Sequence, residues 1–328
     1  MKRIAIVGAT GAVGQEIIRL LELRHFPLKE LRLFASARSV GKTISFRGES
    51  LPIENLQDDV FSTIDLAFFC AGSFISKQWV QIARDKGCVV IDSSSAFRSD
   101  PTVPLVIPEI NEGALAQHKG LISSPNCAAT ILLMPLFPLH RQFQAKRIVT
   151  STYQAASGAG ARLVDELQKE TYAYLEKKPY SPFLPFPYAF NLYTHNSPLT
   201  ESGYVEEELK MADETRKILG DETIRLTATC VRVPVLRAHS VSANVEFAKS
   251  FTLEEVYEAI QKADGVKLFE DRAANRFATP VDATGQNEIF CGRFRLDKTQ
   301  PNTLEFWAVG DQLLKGAALN AVQIGERL

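Results

Sequence analysis

Over the first part of the chain, short runs dense in apolar residues alternate with longer stretches in which apolar residues recur every three or four positions. The first pattern is that of strands buried on both faces, the second that of helices with one buried face. Ile4-Ala5-Ile6-Val7 predicts the opening strand, and Val13, Ile17, Ile18, Leu20 and Leu21 predict the helix behind it. Residues 31–35, 64–70 and 88–92 predict three more strands, with a helix over about 76–86 between the last two. This alternation predicts an α/β fold built on a Rossmann-type doubly wound parallel sheet.

After His140 the rhythm changes. Strands are expected at 147–154, 224–233, 240–247, 266–269, 289–295 and 303–309, and helices at 161–176 and 205–219. A further helix opens on Thr252-Leu253-Glu254-Glu255, a capping box in which each polar side chain takes the other residue's backbone N–H. Such an order predicts an α+β domain with a mixed sheet. Residues 178–202 are dense in proline and aromatics and long for a loop, so they are expected to pack against a partner subunit. The last helix, 313–326, carries the small residues Gly316, Ala317 and Ala318 and is expected to return to the first domain. That domain is then discontinuous, 1–127 with 310–328, against 128–309 for the second.

A length of 328 residues suits two domains, and a net charge of −1 gives no general attraction to nucleic acid or membrane. The five cysteines are Cys70, Cys88, Cys127, Cys230 and Cys291; none form a CxxC pair. That usage predicts a reducing, cytoplasmic setting and no metal site. Cys70 and Cys88 fall inside predicted strands and are expected in the core. No signal peptide is expected, since Gly8 interrupts the first apolar run, and no apolar stretch is long enough to span a bilayer.

Two segments carry chemistry. Gly8-Ala9-Thr10-Gly11-Ala12-Val13-Gly14 stands between a strand and a helix, where glycines allow a pyrophosphate to approach the helix N-terminus. After the second strand comes Ser36-Ala37-Arg38-Ser39, with no acidic residue to hold ribose hydroxyls. Arg38 can instead pair with a 2′-phosphate, so the cofactor expected is NADP. Arg98, beyond the fourth strand, is a candidate anion ligand. The second segment is Ser123-Ser124-Pro125-Asn126-Cys127-Ala128-Ala129-Thr130, followed by an apolar run over 131–139. It predicts a cysteine at a helix N-terminus, where the unpaired N–H groups favour thiolate and can hold an oxyanion. A hydride carrier and a thiol nucleophile together suggest oxidation or reduction at the acyl level through a thioester. Of the five histidines, His239 at a strand edge is the candidate acid/base. His25, His118, His140 and His195 lie in helices or loops without a second catalytic signal.

The chain resembles the aspartate-β-semialdehyde dehydrogenase family along its full length. The resemblance rests on the glycine segment, Ser36 to Ser39, Pro125-Asn126-Cys127, Tyr153 to Gly160, Glu206-Glu207-Glu208-Leu209-Lys210, and Arg232 through His239-Ser240. It implies a homodimer that converts L-aspartate 4-semialdehyde, phosphate and NADP to 4-aspartyl phosphate, reversibly, on the route to lysine, threonine and methionine. It implies a Rossmann domain plus a catalytic and dimerisation domain. By the same resemblance Cys127 is the nucleophile, His239 the acid/base, and Gln154 orients the substrate or helps the nucleophile. Arg232 grips the α-carboxylate, Glu207 the ammonium group, and Arg98 and Lys210 the phosphate, with Asn126 also at the substrate site. Gly8, Thr10, Gly11, Ala12, Val13, Ser36, Arg38, Ser39, Ser157, Gly158 and Asn320 line the NADP site. The sequence departs from the family at Ser124, where asparagine is usual, and at Ala128, where a hydroxyl residue is common; the latter removes a hydrogen bond near the thiolate. The nearest alternative, N-acetyl-γ-glutamyl-phosphate reductase, carries its cysteine in a different context; a non-catalytic NADPH-binding protein is the other.

Overall fold

The computed structural model describes every residue from Met1 to Leu328. The chain forms two compact units, one of Met1–Asn126 with Ala317–Leu328 and one of Cys127–Gly316.

The first unit is built on seven strands: β1 (Lys2–Val7), β2 (Leu28–Phe34), β3 (Thr43–Phe46), β4 (Glu49–Glu54), β5 (Leu66–Phe69), β6 (Val89–Asp92) and β7 (Leu121–Ser123). Their order is β3-β4-β2-β1-β5-β6-β7, parallel throughout except for the β3–β4 hairpin. β1 pairs on both sides, which is why Ile4, Ala5 and Ile6 are fully buried. Helices α1 (Ala12–Leu23) and α2 (Ser73–Asp85) bury the predicted apolar positions, and a short α3 (Pro108–Asn111) follows. The hairpin is an addition to the predicted pattern. It turns on Arg47 and Gly48, at φ +50° and +83°, a left-handed pair of the kind that joins two-residue hairpins.

The second unit opens with α4 (Cys127–Phe143), whose residues 128–136 are all buried. A helix apolar on every side belongs in a core. Around it run β8 (Ala145–Gln154), α5 (Ala161–Leu175), β9 (Tyr193–Thr194), α6 (Glu206–Leu219), β10 (Arg225–Arg232), β11 (His239–Phe247) and α7 (Leu253–Gln261). Then come β12 (Val266–Leu268), β13 (Glu270–Asp271), β14 (Arg276–Phe277), α8 (Pro280–Ala283), β15 (Ile289–Leu296) and β16 (Thr303–Gly310). The mixed sheet has the order β12-β15-β16-β11-β8-β10-β9. The capping box forms at α7, with Thr252 Oγ1 accepting from Glu255 N–H and Glu255 from Thr252 N–H.

Residues 178–202 find partners within their own unit. Glu170 on α5 accepts the backbone N–H groups of Tyr188 and Ala189 at 2.6 and 2.7 Å, and Glu166 those of the Tyr180 hydroxyl and the Phe183 backbone. Tyr188 and Tyr193 then pack with Leu163 and Leu167 of the same helix. Aromatic and aliphatic side chains of this stretch, Phe183, Phe190 and Leu192 among them, stay exposed.

Two expectations are corrected. The last helix is not continuous over 313–326: a π-helical turn, Leu314–Ala318, precedes α9 (Leu319–Glu326). Gly316 N–H reaches back five residues to Asp311 O at 3.3 Å, the wider π spacing. α9 itself lies in the first unit, where Arg24 forms a bidentate pair with Glu326 at 2.7 Å and Gly325 packs on Phe68. Cys70 is not core: it lies past the end of β5 and is half-buried, its thiol bonded to Val7 O at 3.3 Å, whereas Cys88 is buried as expected.

Candidate active site

In the first unit β1 runs into Gly8, where the backbone takes φ +103°. A Cβ on Gly8 would lie 2.9 Å from Ala71 N, and one on Gly14 2.3 Å from Gly8 O, so the turn excludes side chains at both. Gly8 and Ala9 N–H groups donate to Phe34 O at 2.8 and 3.0 Å, which ties the turn to β2. Gly11 leads into α1, leaving Thr10 and Gly11 exposed and Ala12 and Val13 half-exposed at a helix N-terminus. Ser36 and Arg38 are exposed and Ser39 half-buried in the turn after β2. This cradle, with a cation and no carboxylate at the end of β2, fits a dinucleotide carrying a 2′-phosphate.

Further along the same sheet, Arg98 is anchored rather than free. Its Nε donates to Ser124 O at 2.9 Å and its Nη2 to Ser93 O at 2.8 Å. Asp92 is fully buried and accepts from Ser76 and Ser94 hydroxyls; burial raises its pKa above the usual carboxylate range. Asn320 on α9 is fully buried and donates to Val106 O and Ser124 Oγ at 2.9 and 3.0 Å. Its amide thus supports the turn that leads to the buried Asn126 and to Cys127.

In the second unit the chemistry gathers at one end of the strands of the mixed sheet. β10 runs parallel to β8 and β11 antiparallel, so Gln154 and Arg232, the last residues of their strands, lie at the same end as His239, the first of its own. Cys127 is the first residue of α4 and half-buried. Gly316 abuts it so closely that a Cβ there would lie 2.9 Å from Cys127 Cβ.

His239 is wholly buried, and its Nδ1 accepts Ala155 N–H at 2.9 Å. The neutral ring therefore carries its proton on Nε2, a buried atom with no protein partner. Burial, then the charges of Arg232 and His195, hold its pKa well below the ordinary histidine value. Ala238 before it adopts φ +71°, and its N–H is taken by Gln312 Oε1 at 2.8 Å. Gln312 also donates to Ser157 Oγ at 2.5 Å, while Gly158 lies against the ring: a Cβ there would sit 2.8 Å from Nε2.

Arg232 is 3% exposed. Nη1 donates to Ala155 O at 2.7 Å and Nη2 to His195 Nε2 at 2.9 Å; Nε is buried without a protein partner. Glu207, also buried, accepts from Gln154 Nε2 at 3.2 Å, and Lys210 lies one turn on, 3.9 Å from its other oxygen. The three glutamates that open α6 divide their work. Glu206 faces Lys210, Glu207 faces Gln154, and Glu208 takes the N–H groups of Val205 and Cys230.

The candidates Gln154, Ser157, Gly158, Glu207, Lys210, Arg232 and His239 are thus joined within one unit, directly or through Ala155 and Gln312. Four residues at this site carry no role in the sequence reading: His195 is set aside there with the other histidines, Ala155 falls in the matched Tyr153–Gly160 segment, Gly316 is taken only as a small residue of the last helix, and Gln312 has no signal. His195 has no local signal; pairing of Tyr193 in β9 with Arg232 in β10 brings it there, with its N–H on Cys230 O at 2.8 Å.

A family model described as semialdehyde dehydrogenase, NAD binding domain, matches residues 3–118, and one described as semialdehyde dehydrogenase, dimerisation domain, matches residues 136–315. An aspartate-semialdehyde dehydrogenase of Synechocystis is 53% identical, covering 99% of this chain and 97% of that protein. One of Bacillus subtilis is 39% identical over 99% and 96%. The crystal structure of aspartate semialdehyde dehydrogenase II from Vibrio cholerae, complexed with ASA, is 38% identical with a TM-score of 0.97, covering 100% and 98% of the two chains. The chain belongs to the aspartate-semialdehyde dehydrogenase family.

Proposed function

We propose that the chain catalyses the reversible, phosphorylating oxidation of L-aspartate 4-semialdehyde to 4-aspartyl phosphate with NADP, run in biosynthesis as a reduction. The observation that carries this reading is the buried pair of opposite charges on either side of Gln154 and Ala155. Arg232 Nε–H is buried without a protein partner, and Glu207 is fixed by Gln154, a combination that suits an α-carboxylate and an ammonium on one small molecule.

Cys127, at the N-terminus of α4, attacks the aldehyde carbon as thiolate, and the carbon–sulfur bond forms as the carbonyl oxygen becomes an alkoxide. His239 Nε2–H donates to that oxygen. The resemblance assigns His239 acid/base work, and the Ala155 bond makes its resting form a donor at Nε2. The glycine cradle and Arg38 would hold NADP, which would supply the two-electron acceptor for the hydride of that carbon, so that Cys127 is left carrying a thioester. Phosphate oxygen then attacks the thioester, the carbon–sulfur bond breaks and the thiolate returns. By the family resemblance Arg98 and Lys210 are the phosphate ligands, Asn126 belongs to the substrate site, and Ser157, Gly158 and Asn320 to the cofactor site.

No helix is long and apolar enough to cross a membrane. The all-thiol cysteines support a cytoplasmic enzyme, and the dimerisation-domain match supports a homodimer. The test is NADPH formation at 340 nm from aspartate semialdehyde and NADP, with and without phosphate. Phosphate-dependent turnover is expected. Turnover only with the N-acetylated glutamate semialdehyde would replace the substrate, and none with either would overturn the reading.

A further inference from the structure

We propose that His195 is a positioning residue: as a neutral ring it accepts a hydrogen bond from Arg232 and holds that guanidinium aimed at the substrate carboxylate. The proposal rests on the reading of Arg232 given above and extends it to a residue outside the family-derived site.

A guanidinium only donates, so the 2.9 Å contact between Arg232 Nη2 and His195 Nε2 requires that this ring nitrogen be unprotonated. The second anchor is Ala155 O at 2.7 Å on Nη1. Two fixed points at different nitrogens set the plane of the group, and Nε–H is buried without a protein partner. His195 is itself anchored on its far side. Ser197 N–H also points at Nδ1, but at 3.2 Å against 2.9 Å for Arg232 on Nε2; with Nε2 the acceptor the ring proton sits on Nδ1, toward Ser197 Oγ at 3.1 Å, and that oxygen also accepts Glu207 N–H at 3.1 Å. One short bridge therefore links the residue that receives the carboxylate to the residue that receives the ammonium group. The backbone enforces it: β9 pairs Tyr193 with Arg232, and His195 N–H is taken by Cys230 O.

Protonation of His195 would set an N–H against an N–H and release Arg232. The groups that bear on the ring are Glu207, Glu208 and Lys210 from α6, Arg232 from β10 and His239 from β11. Burial dominates, and with Arg232 and Lys210 it outweighs the two glutamates and lowers the pKa below the usual histidine value. The ring is therefore neutral at and above neutrality, and substrate affinity falls as the medium becomes acidic.

The experiment measures KM and kcat for aspartate semialdehyde, at saturating NADP and phosphate, for wild type, His195→Leu and His195→Gln, between about pH 8 and about pH 5.5. Glutamine can offer an oxygen where Nε2 stands and does not titrate. The expected result is a KM raised roughly tenfold or more in His195→Leu with a smaller change in kcat. His195→Gln is expected near wild type at the upper pH and without the acid rise in KM that wild type shows. A KM in His195→Leu within about twofold of wild type overturns the proposal, as does an acid rise that persists in His195→Gln. If the leucine variant fails to fold, the pH profile of the glutamine variant decides. NADP affinity, read by titration, should not move; a parallel loss there would mark a merely structural residue and reject the role. Wild type without turnover overturns the proposed reaction, and this proposal with it, whereas normal wild-type turnover beside an unaffected leucine variant overturns this proposal alone.

Discussion

The backbone N–H of Ala155 donates to Nδ1 of His239 at 2.9 Å, while the carbonyl of the same residue accepts Nη1 of Arg232 at 2.7 Å. One peptide segment therefore sets the tautomer of the proposed proton donor and the plane of the proposed carboxylate clamp. Replacing His239 by alanine should lower kcat by about 10²–10³-fold, the usual cost of an oxyanion donor. His239→Gln, which can place an N–H near the Nε2 position, should recover part of that loss. The low pKa of His239 makes a sign prediction too. Its folded-state value is depressed by burial, so the ring stays neutral through neutrality and is charged only well below pH 6.5. An acid limb in kcat at or above that value, abolished in His239→Gln, would refute the assignment.

Gly316 meets Cys127 through the π-helical turn, with room for hydrogen only. Gly316→Ala drives a methyl to 2.9 Å from Cys127 Cβ and 3.3 Å from its Cα, both parts of a packed helix start. Overpacking of this kind costs about 1–3 kcal/mol and here displaces the proposed nucleophile. We expect kcat to fall at least about tenfold with little change in NADP affinity. Alkylation of Cys127 by iodoacetamide, compared between the two proteins, checks the cause, and equal rates of alkylation and turnover would exclude it.

Glu170 accepts two backbone N–H groups through one oxygen, and the loop it organises carries Tyr188, whose hydroxyl donates to Val233 O at 2.5 Å. Glu170→Ala should cost about 2 kcal/mol, since a buried and a half-buried donor lose their acceptor. Glu170→Gln keeps a carbonyl oxygen and should cost less. Thermal unfolding measures both; a Tm for the alanine variant equal to wild type would show that the loop is ordered by packing alone.

Arg38 stands where an acidic residue would favour NAD. Arg38→Ala should weaken NADP by roughly tenfold or more, and leave NAD nearly unchanged, because only the 2′-phosphate loses its charge-assisted bonds. Initial rates with the two cofactors decide the matter. Equal losses would place Arg38 outside the 2′-phosphate site.

Local pattern was sufficient for most of the architecture. Wholly apolar runs and three-to-four spacing identify β1, α1, β5, α2 and β6 because burial on two faces or on one leaves a mark in every few residues. The glycine cradle was legible for the same reason: Gly8 needs a left-handed backbone and Gly14 a close approach, and only glycine allows either. Cys127 could be placed because proline and asparagine mark the turn before α4. The surroundings of these residues were decided by tertiary structure alone. His195 is brought to Arg232 by a two-residue edge strand, and Gln312 reaches Ala238 across 74 positions of sequence. Gly316 meets Cys127 only because the chain widens into a π-turn that an unbroken helical pattern does not announce. Side-chain type fixes what a residue can donate or accept; which partner it meets depends on strand register and chain return, and these are set by the packing of the whole unit.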